Sequence, residues 1–229
     1  MVSDILERNI EVAKVLETKL DLDSQVVGIK VVKNESEIPS NIGEIPDSSR
    51  HCQLAKMASN GGCFYAPLEK QSCKGGAAAL GLTDLPEKIE SGEFYVNLGR
   101  FKDTDSAKAT LGELPSLENE NYALIYAPLT KADFEADVIL IFLKPVQAMK
   151  VSQALVYDDF SRVGVDFAGI QSLCADAVAR PMNSNGVNIT LGCDGSRKYA
   201  KLDDDELVVG VSSSKVDLLV NSLNMVIKE

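Results

Sequence analysis

The sequence predicts a mixed α/β (α+β) fold built from two related halves, each with a mixed sheet flanked by helices. Three observations predict it: β-branched apolar runs of strand length, amphipathic segments at helical spacing between them, and cysteines that repeat at an offset of about half the chain. Ser3 to Leu20 opens the chain as a helix, with Ile5, Leu6, Ile10, Ala13, Leu16 and Leu20 on one face and Ser3 as N-cap. Gln25 to Lys33 is a β-branched strand, closed by a loop containing Pro39 and Pro46. Ser49 to Ser59 suits a short helix stopped by Asn60-Gly61-Gly62, and Cys63 to Ala66 a short strand. Cys73-Lys-Gly-Gly76 then turns into an alanine-rich helix ending near Leu82, which puts Cys73 at a helix N-terminus.

Glu93 to Leu98 reads as a strand, followed by a polar stretch that ends at Pro115. Tyr122 to Ala127 and Val138 to Leu143 are strands; the second lacks polar alternation and is expected to be buried on both faces. Pro145 opens a helix to Tyr157, with Val146, Met149, Val151 and Leu155 as its apolar positions. A short helix over Gln171 to Arg180 carries Cys174, and a strand over Gly186 to Leu191 delivers Cys193 into the turn Gly192-Cys193-Asp194-Gly195. Glu206 to Val211 is the last strand and Ser213 to Ile227 the closing helix.

The chain has 229 residues, 45% of them apolar and 25% charged, enough to bury a core without disulfide staples. With 23 basic and 34 acidic residues the net charge is −11, which argues against nucleic acid and anionic membrane surfaces as partners. The longest apolar run, Val138 to Leu143, is far below the roughly 20 residues of a membrane span, and the charged N-terminus lacks a signal-peptide pattern, so a cytoplasmic location is expected. In a reducing compartment, five cysteines beside a single histidine point to metal, cluster or thiolate chemistry rather than to disulfides.

The internal repeat carries the functional argument. Cys52-x-x-Ala55, Asn60-Gly61 and Cys73-x-Gly75 are echoed by Cys174-x-x-Ala177, Asn185-Gly186 and Cys193-x-Gly195. The offsets are 174 − 52 = 122 and 193 − 73 = 120, so the halves span approximately residues 1–115 and 116–229 of a single unit. Packing two such halves about a pseudo-two-fold axis brings Cys52, Cys73, Cys174 and Cys193 together. A second echo, Tyr65-Ala-Pro-Leu68 and Tyr126-Ala-Pro-Leu129, is out of register with the cysteines.

These same segments, the helix with Cys52 and Ala55, Cys73-Lys-Gly-Gly with Leu80-Gly-Leu82, the strand from Asp137, and Leu191-Gly-Cys193-Asp-Gly-Ser-Arg197, resemble the archaeal and bacterial "domain of unknown function 169" family over most of the chain. The resemblance implies that Cys52, Cys73, Cys174 and Cys193 form a recurrent set from which Cys63 is absent. It implies little about the chemistry.

Four converging thiolates suit a [4Fe–4S] cluster, with backbone N–H groups of Lys74-Gly75-Gly76 and Asp194-Gly195 near it and Arg197 directed at it, at an anionic ligand or, equally, at one of the aspartates of the run from Asp203. Such a protein serves electron transfer or redox sensing toward a redox partner protein or a small molecule. Structural zinc is the alternative metal, with His51 as a substitute ligand, although zinc usually draws closely spaced cysteine pairs. Two further readings remain: a thiol redox enzyme with Cys73 as nucleophile beside Lys74 and Cys63 or Cys193 resolving, and a small-molecule module in which the cysteines are merely packed. The acidic run Asp203 to Glu206 reads as a solvated turn.

Overall fold

The computed structural model describes residues 2–157 and 162–227. In chain order, helix α1 (Val2–Leu20) leads to strand β1 (Val27–Val32), and α2 (His51–Ser59) to β2 (Phe64–Pro67) and α3 (Lys74–Ala79). The short helices α4 (Glu87–Glu90), α5 (Glu93–Asn97) and α6 (Thr104–Glu113) precede β3 (Ala123–Pro128). Then come β4 (Val138–Leu143), α7 (Pro145–Leu155), a π-helix (Ser172–Ala179) continuing into α8 (Arg180–Ser184), β5 (Val187–Thr190), α9 (Asp194–Tyr199), β6 (Leu207–Ser212) and α10 (Ser213–Val226).

The strands form one six-stranded sheet in the order β2-β3-β1-β4-β6-β5. Every strand pair is antiparallel. The mixed α/β class is therefore observed, while the mixed sheets expected from sequence are replaced by one antiparallel sheet. The reason is topological: β1 inserts between β3 and β4 and runs against both, so no parallel crossover is formed. Among the described residues, parallel pairing survives only as isolated bridges, Glu44 with Tyr65 and Ser49 with Gln71. Exchanging β1 with β4, β3 with β6 and β2 with β5 leaves the strand order unchanged.

The period-two alternation of the strands divides the core into two layers. On one face Ile125, Ile139, Ile141, Val209 and Val211 pack under α1, α7 and α10, with Leu16, Val151 and Leu219 fully buried among them. On the other, Ile29, Leu124, Tyr126, Leu140, Phe142 and Val208 meet α2 and the π-helix through Leu54, Ala55, Leu173 and Ala177. Each large apolar side chain so buried contributes about 1.5–3 kcal/mol relative to exposure. β4 is buried along its whole length, as its unbroken apolar run requires.

Some local expectations shift. Glu93 to Leu98 is helical rather than extended, because Gly92 adopts φ +80 and starts a new turn there. The polar stretch before Pro115 holds α6, capped by the Asp103 carboxylate, which accepts from the Ser106 N–H at 2.8 Å. α1 already includes Val2, and of its expected apolar face Ala13, Leu16 and Leu20 are buried and Ile5 and Leu6 half-buried. Ile10 is exposed, whereas Asn9 is buried, donating to the carbonyls of Ala132 at 2.8 Å and Phe134 at 3.0 Å. On α7, Val146 and Met149 are exposed while Ala148, Val151 and Ala154 face the sheet. Among the described residues no helix is long and apolar enough to cross a membrane.

Candidate functional site

The two cysteine pairs occupy matching local positions. Cys52 lies in the first turn of α2 and Cys174 in the first turn of the π-helix, both buried against the sheet. Cys73 and Cys193 are the N-cap residues of α3 and α9, each with extended backbone. Their carbonyls close the first helical turn, accepting from Ala77 N–H and Arg197 N–H at 2.9 Å each. Each cap follows an edge strand, β2 or β5, which carries the chain from the buried cysteine to the half-buried one.

Glycines line this centre. A Cβ placed on Gly76 would stand 3.5 Å from both Cys73 Sγ and Cys174 Sγ, so the two sulfurs are no more than twice that distance apart. A Cβ on Gly195 would stand 3.6 Å from Cys193 Sγ, and one on Gly75 would press on the Gln171 side chain at 3.3 Å. Cys174 Sγ donates to the Gln171 carbonyl at 3.1 Å.

The thiols sense one another electrostatically. Burial pushes Cys52 up to about 12, with added repulsion from Cys193 and Cys73 and a counteracting contribution from the Gln53 amide. Cys174 is raised well above its ordinary value by burial and then by Cys73, Cys193 and Cys52, with the Ala175 amide opposing. All four thus enter a common electrostatic centre, in which burial and mutual repulsion keep Cys52 and Cys174 from ionising until a cation compensates the charge.

Two tyrosines border this centre. Tyr126 on β3 is fully buried, its hydroxyl 2.8 Å from His51 Nδ1, and it receives a hydrogen bond from Gln71 Nε2 at 3.4 Å. Burial drives its pKa up, with Cys174 and Cys52 adding to the effect. Tyr95 on α5 is raised chiefly by burial, is hydrogen-bonded to Gln171, and lies within electrostatic reach of Cys174, Cys73 and Cys193. His51, the substitute ligand considered for zinc, is buried and pushed down to about 4 by desolvation, so its ring is neutral at pH 7. Its Nε2 and Gln71 Oε1 are buried with no hydrogen-bond partner among the described residues.

None of these four polar neighbours was singled out by sequence pattern except His51, because a tyrosine inside an apolar strand and a glutamine in a loop carry no spacing signal. The Tyr-Ala-Pro-Leu echo proves to be a shared local form in which β2 and β3 each run through proline into a 3₁₀ turn, Leu68–Lys70 and Leu129–Lys131. It positions Tyr126 on the cysteine face without following the cysteine offset.

The other expected site residues divide. Gly75, Gly76 and Gly195 lie beside the centre, and Lys74 is exposed at the first residue of α3. Arg197 turns to the acidic run, through that run's backbone carbonyls. Its guanidinium donates to the carbonyls of Asp203, Leu191 and Glu206, bracing the entry to β6 against the end of β5. Cys63 is exposed, outside the centre, near Asp133 and Lys131. Asp203, Asp204 and Asp205 are exposed, while Glu206 pairs with Lys56 of α2 at 2.5 Å. Among the described residues no three His, Cys, Asp or Glu side chains close in tightly enough to hold a single metal ion.

Comparison with known proteins adds the family. The family model for domain of unknown function 169 (DUF169), described as "Uncharacterised ArCR", matches residues 15–222. "Uncharacterized protein MJ0308" of Methanocaldococcus jannaschii is 41% identical over 215 residues, covering 93% of this chain and 92% of that protein. No solved structure matches. The chain belongs to the DUF169 family.

Proposed function

We propose that this protein binds a [4Fe–4S] cluster through Cys52, Cys73, Cys174 and Cys193, for electron transfer or redox sensing. The observation that carries the reading is the gathering of these four thiols from four separate segments while Cys63 stays outside. The donor set fits the group, since soft thiolates are what iron–sulfur clusters take. Spacing along the sequence favours it over zinc, which typically draws closely spaced cysteine pairs, whereas these four stand about twenty or more residues apart. Once bound, such a cluster supplies reversible one-electron chemistry.

The chain's own residues then have definable tasks. Cys52 and Cys174 anchor the buried side and Cys73 and Cys193 the half-buried side. Gly76 and Gly195 keep methyl groups away from the sulfurs. The Gln53 and Ala175 amides favour the thiolate form of the two buried cysteines. With four protein ligands no coordination position is left for substrate, which favours electron transfer over Lewis-acid catalysis.

The same reading takes the halves as a duplication, supported by the symmetric strand order and the matching cysteine positions. In this reading β3 completes the first half, which extends the approximate boundary near residue 115 to the link between β3 and β4. A reducing cytoplasm and a redox partner protein complete the proposal. Its test is the iron and sulfide content of the four single Cys→Ser variants beside Cys63→Ser, all purified without oxygen. Loss in the four and retention in Cys63→Ser is expected; loss in Cys63→Ser with retention in Cys73→Ser overturns the ligand set.

A further inference from the structure

The halves differ in the link between the cysteine-capped helix and the strand that follows it. α9 and β6 are joined by a short turn, but α3 and β3 are separated by α4, α5 and α6. This insertion has its own small core, in which Ile89 and Tyr95 pack with Ile170, the residue before Gln171. It is tied across the centre as well, since Arg100 reaches Asp194, next to Cys193, at 2.7 Å. The insertion thus covers the half-buried side of the cysteine centre, with Tyr95 as its innermost side chain.

On the outside of α5 Phe94 is 39% exposed, and Leu98, its C-terminal cap residue, 50%. The Phe94 and Tyr95 rings meet edge to face, centroids 5.2 Å apart, so aromatic contact is continuous from the thiol side to the surface. Glu87 and Glu90 are exposed close by, and so is Glu93, whose carboxylate lies 3.7 Å from the exposed Lys88. Residues 83–121 carry nine acidic and four basic side chains, close to half of the chain's net charge of −11. An apolar spot in an acidic field is a common form of electrostatically steered, transient docking site.

We propose that the exposed face of α5, centred on Phe94 and Leu98, is the docking surface for a redox protein that rings its own one-electron cofactor with basic residues. This rests on the iron–sulfur reading for its electron and on the charge and exposure of α5 for its contact. The transfer moves one electron from the reduced centre to the partner's oxidised cofactor; no bond forms or breaks and no proton is exchanged. The Tyr95–Phe94 contact makes the route through the covering short and packed, and the acidic field selects a basic partner.

The probe is cytochrome c, a basic haem protein. Binding is mapped with zinc-substituted cytochrome c, which is redox-silent, by amide chemical-shift changes in the isotopically labelled chain. Transfer is followed by anaerobic stopped-flow, with ferricyanide as the small-oxidant comparison. The expected result is shifts centred on α5 that fade as salt is raised. Glu90→Lys with Glu93→Lys should slow reduction of cytochrome c about tenfold, as loss of steering does, whereas Glu11→Lys on α1, on the opposite face of the sheet, should slow it far less. Phe94→Ser should weaken binding with unchanged iron content. Shifts centred elsewhere, or equal slowing by the α1 and α5 reversals, overturn the surface. Iron-free protein that still binds through α5 overturns the cluster reading and leaves the surface standing.

Discussion

A Cβ on Gly210 of β6 would stand 1.8 Å from the carbonyl oxygen of Ala177 in the π-helix. The helix backbone therefore rests directly on the strand, and no side chain fits between them. This contact sets the depth of the segment that holds Cys174. π-helices are rare and concentrate at functional sites.

Gly210→Ala forces either β6 or the π-helix to move. Overpacking of this kind costs about 1–3 kcal/mol, and here both contacts are backbone, so the upper end applies. Urea denaturation should show the loss, and iron binding should fall with it because Cys174 moves. An unaltered denaturation midpoint would mean that the π-helix floats free of the sheet.

Tyr126→Phe keeps the ring and deletes the hydroxyl that joins His51 Nδ1 to Gln71. Both partners are buried, so the change leaves them unsatisfied at a cost of about 1–3 kcal/mol. Thermal unfolding of the metal-free protein measures it. A cost near zero would show that the ring alone matters at that position.

The elements with strong periodicity were legible in the sequence. β1, β4 and α10 emerge from β-branched runs and helical spacing, and the four cysteines from their matched offsets. α6 was missed although Asp103 signals its start, because only Ala107 on it is buried and an apolar stripe is lacking. α5 was misread because Phe94, Tyr95 and Val96 favour strands in isolation, and the Gly92 turn together with packing on Ile170 decides otherwise. Tyr95 and Tyr126 belong to the site only through the fold. So does the π-helix, whose geometry depends on Gly210, more than thirty positions along the chain.

Gly76→Ala separates folding from loading. The added methyl would make ordinary contacts of 3.5 Å with the Cys73 and Cys174 sulfurs, so the metal-free chain can accept it. In a helix interior the change contributes about 0.5–1 kcal/mol of stability. We expect the metal-free variant to melt no lower than wild type yet to incorporate much less iron, since the methyl occupies space beside two ligands. Normal iron content would place the cluster away from Gly76.

Asp137, just before β4, is held above its ordinary carboxylate value by burial, while its Oδ2 accepts from the Val31 N–H at 2.7 Å. A carboxyl raised in the folded state stabilises most below its unfolded pKa, and that contribution is lost as pH rises through the folded value. Asp137→Asn keeps an acceptor for Val31 and removes the titration. The melting temperature of the variant relative to wild type should therefore rise between about pH 4, near the model-peptide value, and neutrality. A difference independent of pH would show that Asp137 ionises as freely folded as unfolded.

Iron, acid-labile sulfide and zinc content of the wild-type chain, purified without oxygen and without reconstitution, tests the central claim most directly. The account predicts about four irons and four sulfides per chain, with a broad absorption band near about 400 nm and negligible zinc. Colourless protein without iron, or one zinc per chain, would contradict it.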